Sequence, residues 1–215
     1  MRTIALAVAT LIIIAPAYAQ EPDAKQIAQE RQQAEIDVPE LVKALDLKPG
    51  MTIADVGAGG GAFTVVLGHW IGNGRVFATD IGQRQLREIH AYVDKEGLKN
   101  VTVIEGAAAA TNLPAACCDA IFMRDVYHHV TAIEAFDKSL FASLKPGGRL
   151  AIIDFRGRQG SAVPEGVPAN RGGHGIPPEV VVDELKAAGF TPVRTIDPWL
   201  TKERNAMFLV LFTKP

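Results

Sequence analysis

Short apolar runs that alternate with helical segments, and then two such runs with no helix between them, limit what this chain can fold into. Strands are expected at Thr52 to Val56, Arg75 to Thr79, Val101 to Glu105, Ala120 to Met123 and Arg149 to Asp154. Between them lie amphipathic or turn-bounded segments, such as Gln83 to Glu96 and Ile133 to Leu144. Alternation of this kind implies parallel strands joined by right-handed crossovers, with helices on both faces. After a helix at Pro178 to Ala188 and a stop at Gly189, the runs Pro192 to Ile196 and Ala206 to Thr213 follow each other directly. Two consecutive strands pair as a hairpin, so the expectation is an α/β fold with an antiparallel edge on a mostly parallel sheet.

The rest of the chain sets bounds. Its 215 residues fit one ordinary domain, and a net charge of −2 provides no basic field for holding nucleic acid. Met1-Arg2, the apolar run Ile4 to Ile14 and the small residues of Ala17-Tyr18-Ala19 have the layout of a secretory signal peptide. Pro16 interrupts that run well short of the ~20 apolar residues a membrane span needs. Export is therefore expected, to the periplasm or the medium, with residues 1–19 removed and no stable span left. Residues 20–38 read as a helical extension, with a Gln- and Glu-rich helix from Glu21 to Glu35 laid over the domain proper at 39–215. A second helix is expected to start at Pro39 and run through Leu45. Cys117 and Cys118 are adjacent, and bridged cysteines usually stand farther apart than consecutive Cα atoms, so a turn without a bridge is expected.

The chemistry is carried by Ile53-Ala54-Asp55-Val56-Gly57-Ala58-Gly59-Gly60-Gly61, a strand running into a glycine turn and then a helix near Ala62. Glycine lets the backbone turn sharply and approach a ligand that a Cβ would block. Gly57 to Ala62 also fits the dinucleotide fingerprint, so the turn alone leaves a nicotinamide oxidoreductase open. Asp55 argues against it. A carboxylate inside the strand suits a cationic amino group, which a dinucleotide pyrophosphate lacks. The terminal hairpin argues the same way.

Taken together, these segments resemble the class I S-adenosylmethionine-dependent methyltransferases, nearest the small-molecule "type 11" grouping, from about Pro39 to Pro215. The resemblance implies a three-layer Rossmann-like fold with a seven-stranded sheet in the order 3-2-1-4-5-7-6. It also implies S-adenosylmethionine as cofactor, held by Asp55, Gly57, Ala58, Gly59, Gly61, Asp80, Ile81, Ala107 and Arg124. Asp80, ending Val76-Phe77-Ala78-Thr79-Asp80, matches the family's acid for both ribose hydroxyls. Lys145-Pro146-Gly147-Gly148-Arg149 and His174-Gly175-Ile176-Pro177-Pro178-Glu179 are similar to the family's turns before the fifth strand and the last hairpin. The family's Asp after the third strand is missing: Glu105-Gly106 leads into Ala107, Ala108, Ala109 and Ala110. Backbone groups at Ala107 and Ala108 are left to recognise adenine.

After the fourth strand comes Arg124-Asp125-Val126-Tyr127-His128-His129, at the sheet edge where ligands bind in such folds. Asp125, Tyr127 and His128 are the catalytic candidates, with His128 as an acid–base or acceptor-positioning residue or a packed structural one, and His129 as packed. No metal is expected. Asp125, His128 and His174 could form such a site, but spacing alone does not fix their separation. Arg156 reads as solvated, with pairing to a substrate carboxylate as the alternative, and His69 and His90 need no role. The reaction implied is in-line methyl transfer to a small-molecule acceptor, with oligomeric state left open. A cofactor-binding relative without turnover is the alternative.

Overall fold

The sheet has seven strands, in the order β3-β2-β1-β4-β5-β7-β6. In the computed structural model, which describes residues 24–158, 160–200 and 206–215, these are β1 (Thr52–Val56), β2 (Arg75–Asp80), β3 (Val101–Glu105), β4 (Cys118–Arg124), β5 (Leu144–Phe155), β6 (Thr191–Trp199) and β7 (Met207–Thr213). The first five pair in parallel; β7 runs antiparallel to both β5 and β6. The helices are α1 (Ala24–Leu45), α2 (Ala62–Trp70), α3 (Gln83–Lys95), α4 (Ile133–Ser143) and α5 (Pro178–Ala187). The expected signal peptide, its cleavage after Ala19 and the start of the mature chain at Gln20 lie outside the described residues. Among those described, no helix is long and apolar enough to cross a membrane.

The order of the last two strands follows from their side chains. Met207–Thr213 is almost wholly apolar and buried, so it takes the interior position beside β5. Thr191–Trp199 is mostly exposed and carries Pro192 and Pro198, residues an edge strand tolerates because one row of its N–H groups is unpaired.

Alternation along the strands builds a core on each face of the sheet. Ala54, Ile121 and Ile152 pack with Phe136 and Leu140 of α4 and with Val181 and Leu185 of α5. Their neighbours Ile53, Phe122 and Ile153 turn the other way, onto Leu41 and Leu45 of α1 and Leu67 and Ile71 near α2. In α3 the apolar positions Leu86, Ile89 and Val93 fall on one face and are buried, as a 3.6-residue period requires.

Two expectations are corrected. The N-terminal segment does not divide at Pro39: α1 is one helix with Pro39 inside it. Proline removes one helical hydrogen bond. Here Pro39 is exposed, while Ala34, Val38, Leu41 and Leu45 bury a continuous stripe across it. That burial holds the helix through the defect. The second correction is at Cys117 and Cys118, which are bridged to each other. The turn reading stands, since Cys118 opens β4, but the two thiols are joined within it.

Candidate functional site

The centre of the sheet positions the site. Neighbouring strands β1 and β4 are where the strand order reverses, and the crevice beyond their carboxyl ends is where open α/β sheets bind ligands. A cavity of about 490 Å³ lies there, walled by Asp55, the glycine turn, Phe63, Phe122, Arg124 and Asp125, with Gln29, Glu30 and Gln33 of α1 on the remaining side.

Each part of this wall has a local cause. Gly57 sits at φ +76°, and a Cβ there would fall 2.6 Å from a methyl of Val126, so only glycine fits. The amides of Gly57 and Ala58 donate to the Thr79 carbonyl (2.8 and 2.9 Å), tying the turn to the end of β2. Asp80 completes the anchor: Oδ2 accepts from the Gly59 amide at 3.0 Å and Oδ1 from the Gly82 amide at 2.9 Å. Asp55 is only 3% exposed, and its Oδ2 accepts a 2.7 Å hydrogen bond from the Thr64 hydroxyl on α2. Burial is the main cause that pushes its carboxyl up to about 7; Asp80 adds to the shift, whereas Thr64 and Arg124 oppose it.

Sequence reasoning missed the contribution of α1. Buried Asp37 accepts from Arg124 Nε at 3.2 Å and from Gln33 Nε2 at 2.7 Å, while the Arg124 guanidinium stacks 5.0 Å from the Phe63 ring centroid. Arg124 is thus held between a carboxylate and an aromatic face. The only signal was the helix's polar composition, which reads equally well as a solvated surface.

Of the expected cofactor residues, the cavity wall brings together Asp55, Gly57, Ala58, Gly59 and Arg124. Gly61 stands behind it, capping α2 at φ +83° against Ile89. Asp80 stands behind the turn, Ile81 is 65% exposed, and Ala107 exchanges hydrogen bonds with Ala110 through both its backbone groups. The Ala107 amide is therefore already paired, while its carbonyl keeps a second lone pair.

The catalytic candidates separate. Asp125 is exposed and reaches the cavity. Tyr127 does not: it is fully buried, and its hydroxyl lies 3.0–3.1 Å from Asp137 and Glu184 carboxylate oxygens. Burial, reinforced by these acids, holds Tyr127 well above the usual phenol range and lifts Asp137 to about 7. Fully buried Arg171 pairs with Glu184 at 3.1 Å and faces the Tyr127 ring. This polar knot fastens the loop before α5 to the domain and leaves Tyr127 nothing to offer a substrate.

His128, 1% exposed, is enclosed. Its Nδ1 lies 2.9 Å from Asp154 Oδ1 and its Nε2 3.2 Å from His174 Nε2. Both ring nitrogens are occupied, so direct proton removal from an acceptor is not what this geometry offers. His129, expected to be packed, is instead exposed. Arg156 is not merely solvated; it pairs with Asp197 at 2.7 Å and with Glu179 at 3.6 Å. His69 lies 3.1 Å from Glu96, away from the site.

Residues 53–148, from β1 into β5, match a family described as a methyltransferase domain. That match covers less than half of the chain, and the sheet order with its antiparallel last pair is that of the class I methyltransferase fold. A methyltransferase from Aquifex aeolicus described as SAM dependent superposes with a TM-score of 0.69 at 27% identity, over 91% of this chain and all of that one. The [4+2]-cyclase SpnF superposes with a TM-score of 0.68 at 16% identity, covering 88% of this chain and 83% of its own, a likeness of fold alone. The ubiquinone/menaquinone biosynthesis C-methyltransferase UbiE of Shewanella woodyi is 28% identical over 116 residues, 53% of this chain and 46% of that protein. The chain thus spans under half the length of this curated relative.

Proposed function

We propose that this domain transfers a methyl group from S-adenosylmethionine to a small-molecule acceptor bound beside Asp125. The observation that carries the reading is the buried carboxylate of Asp55 inside β1, at the wall of a cavity whose glycine turn leaves no room for a Cβ at Gly57. S-adenosylmethionine is the cofactor, and the residues fit it: Asp55 suits the amino group of the methionine part, Asp80 the ribose hydroxyls and the turn amides the close approach of its backbone. When bound, it supplies a methyl group already activated on a sulfonium, so the chain's own contribution is orientation and exclusion of water. Arg124, fixed between Asp37 and Phe63, stiffens the cavity wall. Asp125 is the expected catalytic residue that reaches the cavity, and His128 acts from within its cluster rather than on the acceptor.

Calorimetric titration with S-adenosylmethionine and, separately, with NAD tests the cofactor. Saturable binding of the first alone is expected; binding of NAD alone would return the domain to the nucleotide-linked oxidoreductases. A second reading, cofactor binding without methyl transfer, is favoured by the missing acid after β3, where Glu105-Gly106 leads into Ala107, Ala108, Ala109 and Ala110. Incubating the protein with methyl-labelled cofactor and a small-molecule extract separates the two: transferred label supports the enzyme, and binding without any transfer supports the alternative.

The N-terminal run from Met1 to Ala19 supports export to the periplasm or the medium. Intact-mass measurement on protein recovered from an exporting host is expected to show a chain beginning at Gln20. A retained Met1 would remove the export reading.

A further inference from the structure

We propose that His128, His129 and His174 bind one divalent transition-metal ion of the zinc type, at a site beside the cavity and independent of the cofactor reading. One ring nitrogen from each lies within 4.8 Å of the others. Nε2 of His128 and Nε2 of His174 are 3.2 Å apart. Nitrogens bound to one tetrahedral zinc at ~2.0–2.1 Å are themselves ~3.4 Å apart, so this pair already has nearly the spacing of two ligands on one ion. The rings pack as a group, with centroids 4.1, 4.8 and 5.4 Å apart, and Phe155 lines one side 4.8 Å from the His128 ring.

The surroundings aim these nitrogens at one another. Asp154 is fully buried and accepts backbone N–H groups from His128 at 3.1 Å and Phe155 at 2.8 Å. A carboxylate already serving as acceptor twice takes its third hydrogen bond from His128 Nδ1, at 2.9 Å. The proton then sits on Nδ1, and Nε2 presents its lone pair toward His174. This is the carboxylate–histidine arrangement that orients imidazole ligands on metals.

His174 comes from a loop 46 positions away, and that loop is built to bring it in. Gly173 and Gly175 flank it at φ +114° and +115°, a region side chains rarely enter. A Cβ at Gly175 would fall 2.8 Å from the Phe155 carbonyl oxygen, and the His174 amide donates to Ser161 Oγ at 2.8 Å. Three imidazoles with no oxygen ligand among them select zinc, cobalt, nickel or copper over magnesium or calcium. Asp125, whose carboxylate groups within 4.8 Å of ligand atoms of His128 and Asp154, also lines the cavity and links the two places.

The rival arrangement is a plain hydrogen bond between two neutral imidazoles, and metal titration distinguishes it. The full chain, stripped with a chelator and dialysed, is titrated calorimetrically with Zn²⁺ and by visible spectroscopy with Co²⁺. One ion per chain at micromolar affinity or tighter is expected, with the intense visible bands of low-coordinate cobalt. Asp154→Asn should weaken Zn²⁺ by ~10–100-fold, and His129→Ala or His174→Ala by more. His129 is exposed, so its variant keeps the test sound even where His128 or Asp154 variants fail to fold. His90→Ala, exposed on α3, should bind as the wild type. Affinity weaker than micromolar in the wild type, or wild-type affinity in either His129→Ala or His174→Ala, overturns the site.

Discussion

Asp80→Ala will weaken S-adenosylmethionine binding by two to four orders of magnitude. The carboxylate offers the ribose two charge-assisted hydrogen bonds, each worth ~1.5–3 kcal/mol when lost, or roughly 3–6 kcal/mol together. Its oxygens already accept from the amides of Gly59 and Gly82, but each retains a second lone pair for a hydroxyl. Alanine therefore removes the ribose contacts and also releases the glycine turn that shapes the cavity. Asp80→Asn separates the two effects. One side-chain oxygen remains to accept, while the amide group faces a backbone N–H, so an intermediate affinity is expected. Calorimetry on both variants, with circular dichroism to confirm the fold, measures the series. Wild-type affinity in folded Asp80→Ala would falsify the ribose assignment.

The place of Asp80 beside the glycine turn could be read from sequence because it needs only one strand end and one turn. The same holds for the sheet. Each run from Thr52 onward is apolar enough to declare a strand, and the contrast between Met207–Thr213 and Thr191–Trp199 separates an interior strand from an edge. Features that depend on two distant segments were hidden. The polar residues of α1 look like a solvated face until the helix is laid across the cavity, where Asp37, itself fixed by Gln33, holds Arg124 from 87 positions away. His174 meets His128 only because Gly172, Gly173 and Gly175, all at positive φ, bend the loop before α5 back onto β5 and its carboxyl edge. Tyr127 misled for a local reason: in a three-residue turn successive side chains point ~120° apart, so neighbours of a site residue face elsewhere. Tyr127 enters the core with Asp137 and Glu184, while His129 goes to the surface.

Asp55 makes both stability and cofactor affinity depend on pH, in opposite senses. Its folded-state carboxyl lies at about 7, mainly because it is buried, against ~3.9 when the chain is unfolded. Between those values the native state keeps a proton that the unfolded state has lost. Stability of the cofactor-free protein therefore falls as pH rises from ~4 to about 7 and levels off above, by an amount on the order of 4 kcal/mol. Asp55→Asn cannot ionise, so it should be the more stable protein at pH ~8 and close to wild type near pH ~4. Urea denaturation of both proteins across this range measures the difference. Cofactor affinity runs the other way. The ionised carboxylate is the form that holds a cationic amino group, so wild-type binding should fall by up to ~10-fold for each pH unit below about 7. Above ~8 the cofactor's own α-amino group loses its proton, which places the strongest binding between the two limits. Asp55→Asn should bind weakly throughout and lose the acid limb. Should the wild-type acid limb persist in Asp55→Asn, the titrating group is another, and Asp55 would be left as a buried anchor for Thr64 and α2.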